Sequence, residues 1–393
     1  MLVDGDRRVL GQLPEFEVDG PPRRVSGSWW PDAEPVVSGA AEHFGAEVDV
    51  LRLVDAFGGD YPRPRDGFVI YEAQLLNDVP SALEATGIDI GGDDPLRAAW
   101  ARPGGVRAMV EWADQFVART GPAAQVKTWN LSCIVRIPTS DGVVWAKAAP
   151  PFFSHEGAVM QAVAERHAEL LPPVLAAEPG RVLLGDVAGE DQWTAGPDVL
   201  ERMVRGLREM QADAPGPDDL VALGLPDWRA PALLDAFTAL SQRDDVRSTI
   251  DADGRRALDA VITDLPRRLD ALDGCGIAPT LVHGDFHRGN WRGDGHRLVL
   301  LDWGDSGVGH PLLDLAAFLN AMPAEWAPEM RARWLAATSG DAERAAELIQ
   351  PVACLRQALI YRTFLDSIEA SEQRYHEFDV PYWLRDALRT AGL

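Results

Sequence analysis

The apolar and polar positions of the chain follow three different patterns, and each pattern marks one region. In residues 1–95, short apolar runs alternate with turn-forming Gly, Pro and Asp residues. These runs predict strands at residues 16–18, 48–53 and 67–73 and a helix at residues 36–44. We therefore predict a small α+β domain over residues 1–95.

Residues 96–190 combine helical spacing with the alternation that is typical of strands. Thr139 to Gly142 form a turn signal between two of the strand-like runs. This region is therefore expected to form a β-sheet accompanied by helices. The predicted elements are helical segments over residues 96–119, interrupted at residues 103–105, a helix at residues 155–170, and strands at residues 125–137, 143–148 and 182–186. In the first of these regions, the predicted core positions are Trp100, Val106, Met109, Val110 and Ala113.

Residues 191–393 are dominated by helical spacing, with Pro and Gly at the breaks. A short apolar run at residues 298–301 is the exception and reads as a buried strand. The chain as a whole is thus predicted to be α+β, with a sheet-rich part followed by a mostly helical part. The predicted helices lie at residues 199–212, 230–240, 254–272 and 312–320.

Candidate chemistry is concentrated in one stretch of the helical part. His283, Asp285 and Asn290 lie close together, and Asp302 follows the apolar run at residues 298–301. Asp285 and Asn290 are five residues apart, which is the spacing in a kinase catalytic loop. The triplet that begins at Asp302, Asp-Trp-Gly, stands where a protein kinase has Asp-Phe-Gly.

Phosphoryl transfer explains why these residue types occur together. The reaction requires a carboxylate beside the acceptor hydroxyl and oxygen ligands for Mg²⁺ on the triphosphate. An Asn amide and an Asp carboxylate suit that metal, because Mg²⁺ prefers oxygen ligands. Each residue alone is compatible with an inactive turn. His283 and Asp314 are interpreted as braces of the loop. The combination favours a kinase.

Two motifs carry a resemblance to a known family. HGDFHRGN, which starts at His283, and LLDWGDSGVGHPLLDLA, which contains Asp302, resemble the two signature motifs of the aminoglycoside phosphotransferase and choline kinase group of small-molecule kinases. The resemblance extends from about Val126 to the C-terminus. It implies a bilobal protein-kinase-like fold, with a small β-sheet lobe at residues 96–190 and a large helical lobe at residues 191–393.

The resemblance also implies roles for individual residues. Asp285 would orient the acceptor hydroxyl and accept its proton, while Asn290 and Asp302 would bind Mg²⁺. Lys147 would bind the α- and β-phosphates of ATP, a role favoured because the chain has only two lysines. Glu156 would position that lysine, with Glu165 as the alternative.

Further contacts with the nucleotide are implied at two places. The loop Thr128–Ser132 would cover the triphosphate, with Asn130 and Ser132 as the candidate contacts. This loop is not rich in glycine, unlike loops whose backbone amides approach phosphate closely. Backbone groups of Gly185 and Val187 would bind the adenine edge.

The charge of the chain narrows the classes of partner. Acidic residues exceed basic ones, 61 against 37, and the formal net charge is −24. This excess argues against a nucleic-acid or anionic-membrane surface. The N-terminus lacks the pattern of a signal peptide, and no apolar run is long enough to span a membrane. We therefore expect a cytoplasmic protein.

Several alternatives stay open at the level of sequence. The acceptor is expected to be an aminoglycoside-like antibiotic or an amino sugar, and the alternatives are a sugar or choline-type substrate, or a catalytically silent binding protein. The role of residues 1–95 (lid, dimerisation element, substrate-side cap or stabilising appendage), the oligomeric state and the choice of ATP over GTP are undecided. Candidate acceptor contacts are Trp303, Asp305, Tyr361, Asp366, Glu369, Tyr375, Glu377 and Trp383.

Overall fold

The computed structural model describes residues 1–18, 29–59 and 64–392. The chain divides into two compact units, each assembled from separate stretches of sequence. The first unit comprises Met1–Pro151, Leu175–Asp186 and Phe364–Glu377, and the second comprises Phe152–Val174, Val187–Thr363 and Phe378–Leu393.

Both strands and helices occur throughout the described residues. The strands are β1 (Leu2–Val3), β2 (Val9–Gly11), β3 (Val48–Phe57), β4 (Phe68–Leu75), β5 (Ala124–Trp129), β6 (Ser132–Thr139), β7 (Gly142–Ala148), β8 (Val174–Glu178), β9 (Arg181–Gly185), β10 (Glu190–Asp191), β11 (Asp227–Trp228), β12 (Thr280–Val282), β13 (Trp291–Gly293), β14 (Leu298–Leu300) and β15 (Gly307–Gly309). The helices are α1 (Glu34–Phe44), α2 (Gly105–Ala113), α3 (Glu156–His167), α4 (Pro197–Ala212), α5 (Pro217–Ala222), α6 (Ala230–Gln242), α7 (Asp244–Arg247), α8 (Ala252–Asp273), α9 (Leu312–Asn320), α10 (Ala327–Ala336), α11 (Ala342–Ser367) and α12 (Asp379–Thr390).

The first unit begins with a four-stranded sheet in the order β2-β1-β4-β3. Strand β1 pairs antiparallel with β2 and parallel with β4, and β3 pairs antiparallel with β4. Leu2, Val48 and Ala73 face a core shared with α1. That helix ends at Gly45, whose φ of 64° is readily adopted by glycine. The elements predicted at residues 36–44, 48–53 and 67–73 are confirmed.

The strand predicted at residues 16–18 is wrong, because these residues form no regular structure. Phe16 packs on α1 instead. Its ring lies 5.6 Å from that of Phe44, and it fills the space that a β-carbon at Gly39 would occupy. The apolar residue therefore reflects packing against a helix rather than pairing in a sheet.

A second sheet of the first unit has the strand order β5-β6-β7-β9-β8. The single strand predicted at residues 125–137 is wrong, because the chain reverses at Asn130 and Leu131 to form the antiparallel strands β5 and β6. This turn carries neither Gly nor Pro, so the sequence gives little sign of it. The predicted turn from Thr139 to Gly142 is confirmed between β6 and β7.

Helix α2 and the short 3₁₀ helix Ala99–Ala101 cover one face of the five-stranded sheet. Their large side chains, Trp100 and Trp112, pack against sheet residues such as Val135 and Leu183. Helical spacing predicted this apolar face, and the predicted interruption at residues 103–105 is confirmed by the break between the two helices. The predicted positions that are confirmed as buried are Trp100, Val106, Met109 and Ala113.

The segment Phe364–Glu377 belongs to the first unit and joins strands β3 and β4 through buried ion pairs. Guanidinium nitrogens of Arg52 lie 2.7 Å from a carboxylate oxygen of Glu72 and 3.3 Å from one of Glu369. A guanidinium nitrogen of Arg97 lies 2.9 Å from a carboxylate oxygen of Glu369. These four side chains are at most 5% exposed. Removing one partner of a buried pair leaves an uncompensated charge, so the cluster constrains how the segment packs on the sheet.

The second unit consists of helices around two small sheets, in the orders β10-β13-β14 and β11-β15-β12. Aromatic side chains fill its core. The ring centroid of Phe286, for example, lies 5.6 Å from that of Trp334 and 5.2 Å from that of Phe318. Trp291 and Trp303 are completely buried in the same unit. The stretch from Leu281 to Phe318 is thereby anchored in the core of the second unit.

The helices predicted for the second unit are confirmed as α4, α6, α8 and α9. Helix α3 and the 3₁₀ helix Ala168–Leu170 together account for the helix predicted at residues 155–170. None of the described helices combines the length and the apolar character that are needed to cross a bilayer.

Candidate active site

Strand β12 leads directly into the loop that carries Asp285 and Asn290. The chain leaves the strand at His283 and returns through the 3₁₀ helix Arg288–Asn290 into β13. The Asn290 amide nitrogen Nδ2 donates to both the backbone oxygen and the side-chain oxygen Oδ2 of Asp285, each at 2.9 Å. The two residues that the sequence singled out are therefore in contact.

His287 also faces Asp285. Its Nε2 lies 3.4 Å from Asp285 Oδ2, and its Nδ1 accepts a hydrogen bond from the backbone N–H of Gly289 at 3.0 Å. The imidazole ring stacks on the indole of Trp193, with ring centroids 5.1 Å apart. Sequence reasoning did not single out His287 or Trp193.

The electrostatic environment keeps Asp285 ionised. Burial alone would raise the pKa of Asp285, but the charge of His287 and the hydrogen bond of Asn290 outweigh it and hold that pKa well below its usual range. An ionised carboxylate can accept the hydrogen bond of an incoming hydroxyl. It is a weak base, which suits a reaction whose catalysis is mostly positioning and charge stabilisation.

Asp302 follows β14 in a left-handed conformation, with φ 63° and ψ 66°. The preceding residue, Leu301, is fixed on both sides: its N–H donates to Asn290 O at 2.8 Å, and its carbonyl accepts from His283 Nε2 at 3.0 Å. Non-glycine residues in this conformation are uncommon and cluster at functional sites. The backbone thus ties Asp302 to the loop of Asn290.

Glu156 contacts the turn that follows Asp302. Its Oε1 accepts a hydrogen bond from the backbone N–H of Trp303 at 3.3 Å, and its side chain is buried at the start of α3. The sequence-based role for Glu156 was to position Lys147, and that role stays a prediction. Glu165, the alternative, lies near the C-terminal end of the same helix.

A buried carboxylate braces the loop that carries Asp285 and Asn290. Asp314, on α9, accepts hydrogen bonds from the backbone N–H groups of His283 at 3.0 Å and Gly284 at 2.8 Å, and from Gln211 Nε2 at 3.0 Å. Burial raises the pKa of Asp314 to about 6, although these N–H groups oppose the shift. The expectation that Asp314 and His283 support the loop is confirmed by these contacts.

Arg356, on α11, contacts both the loop of Asp285 and the turn that follows Asp302. Its guanidinium donates to the backbone oxygen of Gly284 at 3.1 Å and to that of Asp305 at 3.0 Å. The side chain is almost fully buried, and burial lowers its pKa to about 10. Nothing in the sequence around Arg356 marked it, because the residue lies more than fifty positions beyond either turn.

Tyr361, on α11 in the second unit, lies within range of the charges of three carboxylates. Burial and the nearby charges of Asp379, Asp285 and Asp305 raise the pKa of its hydroxyl well above the usual value. Asp305 and Tyr361 were both candidate acceptor contacts. Among the other candidates, Trp303 is completely buried and donates its indole N–H to the backbone oxygen of Leu300, so it is part of the core.

The predicted nucleotide contacts of the first unit lie on its five-stranded sheet. Lys147 is on β7, where alternation places it on the face opposite to the buried Ala146 and Ala148. Asn130 and Ser132 lie at the β5–β6 turn with buried side chains. Asn130 Nδ2 lies 3.0 Å from His376 Nε2, and Ser132 Oγ accepts from the indole N–H of Trp129 at 3.1 Å.

Gly185 and Val187 were predicted to bind adenine through backbone groups. Gly185 is the last residue of β9 and pairs with Val144 of β7. The backbone oxygen of Val187, in the second unit, accepts a hydrogen bond from Arg292 Nε at 2.8 Å. Their proposed contacts with the base remain predictions.

The residues predicted to bind Mg²⁺ have suitable chemistry. Because Nδ2 of Asn290 is committed to Asp285, its remaining side-chain atom for a cation is the amide oxygen. Asp302 adds a carboxylate. Mg²⁺ in phosphoryl-transfer sites takes one or two such protein ligands and completes its shell with phosphates and water. The described residues contain no group of three or more His, Cys, Asp or Glu side chains that could hold a metal.

Comparison with known proteins gives one family match. A sequence model of the phosphotransferase enzyme family matches residues 118–348, which include all the motifs of the catalytic stretch. No curated protein sequence matches the chain significantly.

Many solved structures resemble the chain. A choline/ethanolamine kinase family protein from Mesorhizobium loti has a TM-score of 0.51 at 17% identity, covering 72% of this chain and 98% of that one. Choline kinase LicA from Streptococcus pneumoniae has a TM-score of 0.52 at 12% identity, covering 71% and 98%. Macrolide 2'-phosphotransferase MphH from Brachybacterium faecium has a TM-score of 0.50 at 14% identity, covering 71% and 98%.

These similarities show the fold, since the identities are low. The α+β, protein-kinase-like fold predicted from the sequence is confirmed, with a sheet-containing unit and a mostly helical unit.

Proposed function

The chain belongs to the phosphotransferase enzyme family and is a small-molecule kinase, and from this premise we propose that it transfers the γ-phosphoryl group of ATP, with Mg²⁺, to a hydroxyl of a small molecule that carries amino groups. The observation that carries this proposal is the contact between Asn290 and Asp285, with Asp302 tied to the same loop through Leu301.

Each of these residues has a distinct proposed role. Asp285 accepts the hydrogen bond of the acceptor hydroxyl and takes its proton as the oxygen attacks the γ-phosphorus. Asn290 and Asp302 hold Mg²⁺ through side-chain oxygens. When bound, the metal neutralises the negative charge on the triphosphate oxygens. Lys147 is proposed to bind the α- and β-phosphates as a point charge.

The proposed acceptor class rests on the charges around Asp285. The charges of Asp285, Asp305 and Asp379 all act on the hydroxyl of Tyr361, and we propose that carboxylates of this group bind the amino groups of the acceptor. Ammonium groups would be stabilised there. An aminoglycoside-like antibiotic or an amino sugar satisfies this condition. The alternative is a choline-type amino alcohol or a plain sugar.

The test is Mg²⁺-dependent release of ADP by the purified full-length protein. The acceptor panel contains aminoglycosides, macrolides, amino sugars, choline, ethanolamine and neutral sugars, and Asp285→Asn is the control. We expect turnover with an amino-bearing acceptor that Asp285→Asn abolishes. Turnover with neutral sugars alone would overturn the acceptor class. Bound Mg-ATP without turnover on any acceptor would contradict the proposed reaction.

The same panel tests the nucleotide. GTP replaces ATP with the best acceptor, and the ratio of kcat/KM values identifies the donor. We expect ATP to be preferred. A higher kcat/KM for GTP would overturn the choice of ATP and leave the acceptor assignment intact.

A further inference from the structure

The imidazole of His287 is fixed in one orientation and one tautomer. Its Nδ1 accepts the backbone N–H of Gly289 at 3.0 Å, so in the neutral ring the proton is on Nε2. That nitrogen lies 3.4 Å from Oδ2 of Asp285, which is longer than a well-formed N–H···O hydrogen bond but close enough for electrostatic attraction. His287 therefore presents a donor to the carboxylate.

Trp193 holds the ring of His287 in place. The two rings stack with centroids 5.1 Å apart and planes 24° apart, while 44% of Trp193 stays exposed. The close approach depends on Gly289, because a β-carbon at that position would collide with the indole. An exposed tryptophan thus covers a histidine that has contact with Asp285.

The two oxygens of Asp285 have different surroundings. Oδ2 receives Asn290 Nδ2 at 2.9 Å and lies next to His287 Nε2, whereas Oδ1 has no hydrogen bond from any described residue. The hydrogen bond from Asn290 and the adjacent Nε2–H of His287 act on the same oxygen, and both oppose rotation of the carboxylate. This arrangement leaves the lone pairs of Oδ1 for another donor.

We infer that Trp193 and His287 form a positioning pair, which fixes the carboxylate of Asp285 so that Oδ1 faces the acceptor hydroxyl. The inference rests on the proposed function, since it assigns Asp285 the role given above. Asn290 alone restrains Oδ2 in the absence of His287. Reactions that depend on alignment lose about a hundredfold in rate when a catalytic group is displaced by ~1 Å.

Two substitutions separate the donor of His287 from its bulk. His287→Phe keeps an aromatic ring against Trp193 but removes Nε2–H, and His287→Gln keeps an N–H donor of similar reach. We expect His287→Phe to lower kcat by about ten- to a hundredfold with the KM for ATP unchanged. His287→Gln is expected to recover a large part of that loss. His296→Gln, at an exposed position in the β13–β14 turn, is the control that keeps wild-type kinetics.

Trp193→Ala tests whether the tryptophan acts through the histidine. We expect a fall in kcat smaller than that of His287→Phe, and the double variant should be no worse than His287→Phe alone. Multiplicative losses in the double variant would overturn the pair. A rise in the KM for the acceptor with unchanged kcat would identify Trp193 as an acceptor contact instead, and would also overturn it.

A measurement without turnover completes the test. ¹⁵N-histidine NMR of the full-length protein reports which ring nitrogen carries the proton, and the His287 signal is assigned by its loss in His287→Gln. At an alkaline pH, where the ring is neutral, we expect the Nε2–H form, and we expect a shifted signal in both Asp285→Asn and Trp193→Ala. A proton on Nδ1, or no shift in either variant, would overturn the inference.

The two levels of proposal fail in different ways. If the wild-type protein binds Mg-ATP but turns over no acceptor, the proposed function fails and the positioning role fails with it. If the wild-type protein is active and His287→Phe matches its kcat, the positioning pair alone is overturned.

Discussion

The guanidinium carbon of Arg356 lies 3.5 Å from the centre of the Trp228 ring. The same guanidinium donates to the backbone oxygens of Gly284 and Asp305. Stacking on the ring fixes the plane of the group, and the two hydrogen bonds fix its direction. One buried arginine from α11 therefore holds together the loop of Asp285 and the turn that follows Asp302.

Arg356→Lys should destabilise the protein, although it keeps the charge. A lysine ammonium cannot stack on Trp228 and satisfy both backbone oxygens, so at least one buried acceptor loses its partner. We expect a loss of about 2–4 kcal/mol in the free energy of unfolding. Denaturant unfolding measures this loss, and kcat should fall with it.

Arg331→Lys is the matched control for this prediction. Arg331 lies on α10, pairs with Glu343 at 2.9 Å and is 36% exposed. Exposed pairs of this kind contribute less than about 1 kcal/mol. Equal losses for the two variants would show that the position of Arg356 has no special role.

Gly284→Ala should disrupt the catalytic loop. Gly284 has φ 86°, and a β-carbon there would collide with the backbone oxygen of Asp305 and the guanidinium of Arg356. Gly295→Ala is the control, because Gly295 has φ 93° but open space around it. We expect about 1–2 kcal/mol of destabilisation for the control and at least twice that for Gly284→Ala. Similar values in thermal or denaturant unfolding would show that backbone strain, and not the collision, dominates.

The sequence predicted those parts of the site that depend on local spacing. Asp285 and Asn290 meet because a tight loop brings residues five apart together. Asp302 follows a buried strand, as the apolar run before it predicted. His283 and Asp314 brace the loop as expected. In these cases the residues in contact are separated by no more than about thirty positions in the sequence.

The parts that depend on distant contacts were not predictable from the pattern. In the sequence, Arg356 does not differ from other arginines in helical segments. Its role depends on the packing of α11 against the loop of Asp285. Trp193 becomes relevant only because its ring reaches His287 across almost a hundred residues of sequence. The reversal at Asn130 was not predicted because the turn between β5 and β6 carries neither Gly nor Pro.

Asp285→Asn should remove most of the turnover and retain binding of Mg-ATP. An amide keeps the size of the side chain but cannot accept the hydroxyl proton. Loss of a general base typically costs about 10²- to 10⁴-fold in rate. Steady-state kinetics with the best acceptor measures kcat, and calorimetry measures binding of Mg-ATP. Turnover near the wild-type value in this variant would remove the assignment of Asp285.

Asp302→Ala should weaken the binding of Mg-ATP. The substitution removes a proposed carboxylate ligand, so the dependence on Mg²⁺ should shift to higher concentrations. Calorimetry with ATP in the presence and absence of Mg²⁺ separates the metal from the nucleotide. An unchanged affinity for Mg-ATP would contradict the assignment of Asp302 as a metal ligand.

Glu372 gives the first unit a pH dependence that is unrelated to catalysis. Its side chain is 3% exposed, and its Oε1 accepts the backbone N–H of Leu53 at 2.6 Å. Burial raises the pKa of Glu372 to about 8, and the nearby charge of Glu369 adds to the shift, while that N–H and the charge of Arg52 oppose it. Its second carboxyl oxygen has no hydrogen-bond partner among the described residues. The neutral acid is therefore favoured in the folded state.

Glu372→Gln should flatten the pH dependence of stability. The pKa of Glu372 is higher in the folded than in the unfolded chain, so its stabilising contribution is complete below the unfolded value of 4.5 and is lost as the pH rises through about 8. Gln keeps an oxygen for the Leu53 N–H and cannot ionise. Between pH 5.5 and 8.5, we expect the wild-type free energy of unfolding to fall relative to the variant by on the order of 2–3 kcal/mol. Urea unfolding across this range measures the difference, with the exposed Glu377→Gln as the control. Parallel pH profiles for Glu372→Gln and the wild-type protein would show that Glu372 is already ionised in the folded state, stabilised by Arg52 despite its burial.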